Sequence, residues 1–150
     1  MNDVTAIQNL KSQYLRNVDL ICDAKNPAPF ALMHSIFTED AVLDFGPLMG
    51  TYVGQDGIAL IFGELLPAQH NWTWHSIGSP HIVIDGDRAA GRWTLYALSN
   101  PRAQAPDVQL ATFGVYADEF ILTAEGWRQS RLGFTLRGQS GGNWAMPDQG

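Results

Sequence analysis

Two glycine-centred interruptions cut the second half of the chain into four long stretches of strand character, and they constrain the fold more than any other feature. His75 to Ile84 and Arg88 to Leu98 flank Asp85-Gly86-Asp87, and Val108 to Thr123 and Gly126 to Leu136 flank a turn around Ala124-Glu125-Gly126. Glycine enters the left-handed backbone of a tight hairpin without a Cβ clash, so each interruption reads as a reversal of direction. The pattern predicts two antiparallel hairpins in succession. Asn100 to Asp107, with Pro101 and Pro106, forms the loop between them.

The first half has a different period. Val4, Ile7, Leu10, Tyr14, Val18, Ile21 and Cys22 recur at spacings of three and four, which predicts a helix from about Thr5 to Asp23. Thr5-x-x-Gln8 resembles a capping box, and Pro27 and Pro29 lie beyond the end. A second helix is expected from Pro29 to Phe37, and a third from Gln55 to Leu66, stopped by Pro67. Ala41 to Phe45 and Tyr52-Val53 read as short strands. Helices followed by long antiparallel strands predict an α+β fold, in which a curved antiparallel sheet wraps three N-terminal helices. The expected shape is a cone-like barrel with one interior cavity, a preferred place for a small ligand.

With 150 residues, 45% of them hydrophobic, the chain has material for one domain and its own core. Residues 1–137 are expected to form that domain. Residues 138–150 are expected to be a loose glycine-rich tail, in which Trp144 and Met146 allow a lid over the cavity. A net charge of -6, with nine Lys and Arg scattered singly, disfavours a nucleic-acid partner. Phosphate-binding glycine motifs are missing, so no nucleotide cofactor is expected. Apolar runs such as Ile58 to Phe62 are far shorter than the ~20 residues of a membrane helix, and no membrane association is expected. The start, MNDVTAIQNLKSQ, lacks the basic, apolar and small-residue parts of a secretory signal, and Cys22 is the single cysteine. A cytoplasmic location is the resulting expectation.

Chemistry centres on WTWHSIG, Trp72 to Gly78. His75 opens the first long strand, where an inward orientation would put its imidazole in the cavity, ready to take and return protons near neutral pH. The alternative is a hydrogen-bonded packing residue among tryptophans. Asp19 lies on the flank of the first helix's apolar stripe, one turn after Leu15, where a carboxylate reaches the cavity rim without full desolvation; the alternative is a solvated helix charge. Tyr14, near the centre of that stripe, is either core or a hydrogen-bond donor to a substrate oxygen. Tyr52, Trp93 and Tyr116 are candidate lining residues, and aromatics on such strands also serve as plain core. Arg131 on the last strand either binds an anionic or carbonyl group or pairs with Asp118 or Glu119. His34, His70, His75 and His81 match no metal motif, and no metal is expected; His34 reads as a helix-flank residue and His70 as a loop residue.

Several segments together resemble the SnoaL-like superfamily. They are Tyr-x-x-x-x-Asp in the first helix, FTEDAVLDF, GTYVGQDGI, WHSIGSPHIVIDGDRA, GVYADEF and GWRQSRL, covering the chain from Ala6 to about Arg137. That group shares the cone fold of nuclear transport factor and includes scytalone dehydratase, bile-acid 7α-dehydratase, hexachlorocyclohexane dehydrochlorinase and polyketide cyclases. The resemblance implies that Asp19 and His75 form a dyad, with His75 taking a proton next to a carbonyl or leaving group and Asp19 holding the ring. It implies a role for Tyr14 similar to that of the bile-acid enzyme's tyrosine. The implied activity is a cofactor-independent lyase or isomerase acting on a hydrophobic oxygenated ring compound. A non-catalytic ligand-binding protein of the same fold is the alternative. The departures matter: Ser99 stands where scytalone dehydratase has a second histidine, Tyr116 falls near its pocket asparagine, and the second acid of ketosteroid isomerase has no match. Relatives of this fold often assemble, and apolar residues on both faces of Val108 to Leu122, including Phe113 and Val115, predict a homodimer or homotrimer.

Overall fold

The computed structural model describes residues 2–140 and 144–145. Helix α1 (Asp3–Ile21) begins two residues earlier than the sequence predicts, because the Asn2 side chain caps it, accepting a hydrogen bond from the Thr5 N–H at 2.8 Å. Its buried stripe runs through Ile7, Lys11, Tyr14, Leu15, Val18 and Ile21. The expected second helix is shorter and tighter, a 3-10 segment over Phe30–Ser35. Phe37 already belongs to strand β1 (Phe37–Asp44), which pairs with β2 (Thr51–Val53).

The third helical region starts at α2 (Gly54–Leu60), widens into a π segment (Ile61–Leu65) and closes as α3 (Leu66–Gln69). Pro67 does not stop it. The proline lies in the first turn after the π segment.

Four long strands follow: β3 (His70–Asp85), β4 (Arg88–Pro101), β5 (Leu110–Thr123) and β6 (Gly126–Ser140). The β3–β4 hairpin turns at Gly86, whose φ of +61° a Cβ would oppose. The strand order is β2-β1-β6-β5-β4-β3, and the pairings are antiparallel except one. That exception is β1 with β6, which run parallel and make the sheet mixed. β2 and β3 form its two edges, so the sheet curls without closing. The last strand also reaches further than expected. Gly138 to Ser140 belong to β6, and a two-residue strand, β7 (Trp144–Ala145), pairs back on it. The rest of the proposed lid, Met146 included, lies outside the described residues.

One core joins the α1 stripe to the inner face of the sheet through Trp93, Leu95, Tyr116, Phe120, Leu132 and Phe134. Burying these large apolar groups is the main stabilising term, at about 1.5–3 kcal/mol per side chain. Among the described residues, no helix is long and apolar enough to cross a membrane.

Candidate active site

Where α1 faces β3, a cavity of about 240 Å³ opens between helix and sheet. Strand alternation puts Thr73 and His75 on the side of β3 that faces it, and Trp74 on the outside. Asp19 stands behind His75 on α1. Its Oδ1 is 2.6 Å from His75 Nδ1 and accepts from the Thr73 hydroxyl at 2.8 Å, while Oδ2 accepts from the His75 backbone N–H at 3.1 Å. Three donors converge on one carboxylate.

This arrangement fixes the imidazole. The carboxylate accepts, so the ring proton sits on Nδ1, and Nε2 is left bare. Among the described residues Nε2 has no hydrogen-bond partner, and the ring lines the cavity. His75 retains 15% side-chain exposure and Asp19 26%, so the pair is sheltered and still reachable. An oriented imidazole at a cavity wall, backed by a carboxylate, is suited to general base chemistry.

Tyr14 and Tyr116 line the same cavity, and their rings meet edge to face, 6.4 Å between centroids at 88°. Burial pushes the Tyr14 phenol well above its ordinary pKa, with Tyr116 and Asp118 adding to the effect. It therefore keeps its proton at neutral pH and remains a hydrogen-bond donor. Cys22 lies one turn after Val18 on the same wall, and burial raises its thiol to about 12.

Beneath the two tyrosines lies a buried ion pair that sequence reasoning missed. Lys11 Nζ is 2.7 Å from Asp118 Oδ2, and both side chains are wholly inaccessible. The ammonium also sits 3.6 Å from the centroid of the Tyr116 ring and 4.4 Å from that of Tyr14. Burial lowers the Lys11 pKa and raises that of Asp118, each shift opposed by the other's charge. The signal was present: Lys11 falls in the apolar stripe between Ile7 and Tyr14.

Three expected pocket residues lie elsewhere. Trp93 packs on Phe120 and beside Lys11 and does not line the cavity, although Tyr116, its partner across the ladder, does. Tyr52 packs on Phe45, and its hydroxyl donates to the Met49 carbonyl at 2.5 Å, bracing the loop whose Leu48 and Met49 do reach the cavity. Arg131 points out of the cavity and meets Asp44 of β1 at 3.4 Å; neither Asp118 nor Glu119 is its ion-pair partner. Asp118 is committed to Lys11, and the parallel neighbour β1 brings Asp44 within reach. Ser99 and Tyr116 do line the cavity, as does His70, which the sequence placed in a loop. Among the described residues no three His, Cys, Asp or Glu side chains converge to hold a metal ion.

The family model of the SnoaL-like domain matches residues 1–133. The chain belongs to the SnoaL-like family, and its fold is the cone of the nuclear-transport-factor-2-like proteins. Among solved structures, a Novosphingobium aromaticivorans protein with a provisional aromatic ring hydroxylase name is 25% identical, with a TM-score of 0.80, and 93% of this chain covers 92% of that one. A provisionally named scytalone dehydratase from the same organism is 18% identical, with a TM-score of 0.76 and coverage of 98% and 93%. A hexachlorocyclohexane dehydrochlorinase from Novosphingobium barchaimii is 19% identical, with a TM-score of 0.74 and coverage of 97% and 90%. The structural neighbours thus include proteins named for elimination reactions. No functionally curated protein matches the sequence.

Proposed function

We propose that the protein is a cofactor-independent lyase or isomerase of dehydratase or cyclase type, acting on a hydrophobic oxygenated ring compound held in the cavity. The observation that carries this reading is the 2.6 Å contact between Asp19 and His75, with bare Nε2 on the cavity wall. Nε2 takes a proton from carbon next to a carbonyl or leaving group. The electron pair left behind either expels the leaving group as a double bond forms, or is held as an enolate until the proton returns at another carbon. Asp19 keeps the ring in register and stabilises the imidazolium, and Tyr14 donates to the substrate oxygen where charge develops.

A panel of ring compounds bearing an acidic C–H next to a carbonyl, hydroxyl or chloride tests this. His75→Ala should lower turnover by about 10²–10⁴-fold while the fold is kept. Asp19→Asn should lower it too, because the amide no longer dictates the tautomer. Full activity in His75→Ala would overturn the proposal. Tight binding without product across the whole panel would favour the ligand-binding alternative.

The same proposal places the protein in the cytoplasm as a homodimer or homotrimer. Trp74 and Tyr96, about half exposed on the outer face of β3 and β4, form the apolar surface a second copy would cover.

A further inference from the structure

His70, the first residue of β3, brings a second imidazole into the cavity. Strict alternation back from His75 would place Thr73 and Asn71 on the cavity side and turn His70 away. The β3–β4 ladder instead pairs Trp72 with Asn100 and His70 with Pro101, leaving Asn71 as an extra residue. This bulge resets the phase of the strand, and His70 joins Thr73 and His75 in the wall. Asn71 secures it from both sides. Its Nδ2 donates to Asn100 Oδ1 at 2.8 Å, and its carbonyl accepts from the Ala24 N–H at 2.8 Å.

The chemistry of the ring follows from one contact. His70 Nδ1 lies 2.9 Å from the Leu66 carbonyl of α3. A carbonyl only accepts, so Nδ1 carries the proton and Nε2 does not. Nε2 has no protein partner among the described residues. Burial lowers the pKa of the ring, and nearby His75 and Arg102 act in the same direction, outweighing the opposing hydrogen bond to Leu66. At neutral pH the ring is uncharged and offers an acceptor alone.

A sheltered acceptor with no partner of its own costs free energy unless a ligand or water supplies the donor. The cavity wall is largely apolar, through residues such as Leu95, Ala97, Leu110 and Phe134, with Gln69, Ser99, Thr112 and Gln139 among its polar members. We infer that His70 Nε2 reads a hydroxyl group on the ligand, which makes His70 a specificity-determining residue for hydroxylated ring compounds. The inference deepens the function proposed above and rests on its placing the substrate in this cavity. It assigns His75 and His70 different tasks: one removes a proton from carbon, and the other holds a hydroxyl.

The test uses two probes of nearly equal shape, 1-naphthol and 1-methylnaphthalene, with affinities measured on the full chain by calorimetry. The parent should prefer the naphthol by about tenfold, the value of one sheltered hydrogen bond. His70→Phe keeps a ring in place, and it should bring the ratio close to one with little change for 1-methylnaphthalene. Equal affinities in the parent, or an undiminished preference in His70→Phe, would overturn the inference. If that variant fails to fold, ¹⁵N-histidine NMR on the parent decides the matter: the His70 Nε2 resonance should shift upfield with 1-naphthol and stay put with 1-methylnaphthalene, and no shift counts against it. Neither readout needs turnover, so failure of His75 as a base shows only in the reaction panel and leaves the naphthol preference intact.

Discussion

Cys22 shows how strongly position governs the chemistry of a single side chain in this fold. Its sulfur is on the cavity wall, yet the residue is 1% exposed, and burial lifts the thiol to about 12. A raised folded pKa means stability that is present below the unfolded value of about 9 and lost as pH rises towards about 12. Iodoacetamide at pH 8 should therefore alkylate the folded chain about 10²-fold or more slowly than the urea-unfolded chain, since the thiolate fraction falls by about tenfold per pKa unit. Mass spectrometry over time reads the difference, and equal rates would contradict the burial. At this scale much of the site was legible. Asp19 and Tyr14 follow from the helical stripe, and Thr73 lies two residues before His75, so alternation gives them one face. His70 was not legible, because one extra residue in the ladder inverts the face of everything before it. For Arg131 the sequence left a pocket contact and a pairing with Asp118 or Glu119 both open; its partner Asp44 comes from a strand remote in sequence.

The elements hold together through contacts that periodicity alone does not reveal. α1 is tied to β5 by Lys11 and Asp118, two charges wholly removed from water. Removing one and leaving the other is expected to be costly, so Lys11→Met should lower stability by about 3–5 kcal/mol. The double variant Lys11→Met with Asp118→Leu should recover most of that loss, because no unpaired charge is left behind. Urea denaturation of both variants measures the comparison. An unchanged midpoint for Lys11→Met would mean that the pair is not ionised in the fold. The helical segments and both hairpins were legible, but several of their ends were not: β3 begins at His70 rather than His75, and β5 at Leu110 rather than Val108. The 3-10 segment shortens the second helix, and the π segment lets the third run through Pro67. Neither departure has a strong sequence period, since each is stabilised by the packing around it.

For the whole molecule, the two hairpins and the α+β class were legible, while the parallel pairing of β1 with β6 was not. Short strands carry little information about which distant partner they meet. The open sheet leaves Trp74 and Tyr96 on its outer face, and sedimentation equilibrium should find a mass two or three times that of the chain. A monomer at micromolar concentration would remove that proposal without touching the dyad. The β1–β6 pairing also sets a timetable for the newborn chain. β1 is made early, but Val42 cannot meet Arg131 until nearly all of the described sequence has left the ribosome. At ~5–20 residues per second the strand waits several seconds with its sheet edge unsatisfied. For that interval the molecule depends on β2, on the packing of α2, or on a chaperone to keep β1 from pairing with a neighbouring nascent chain.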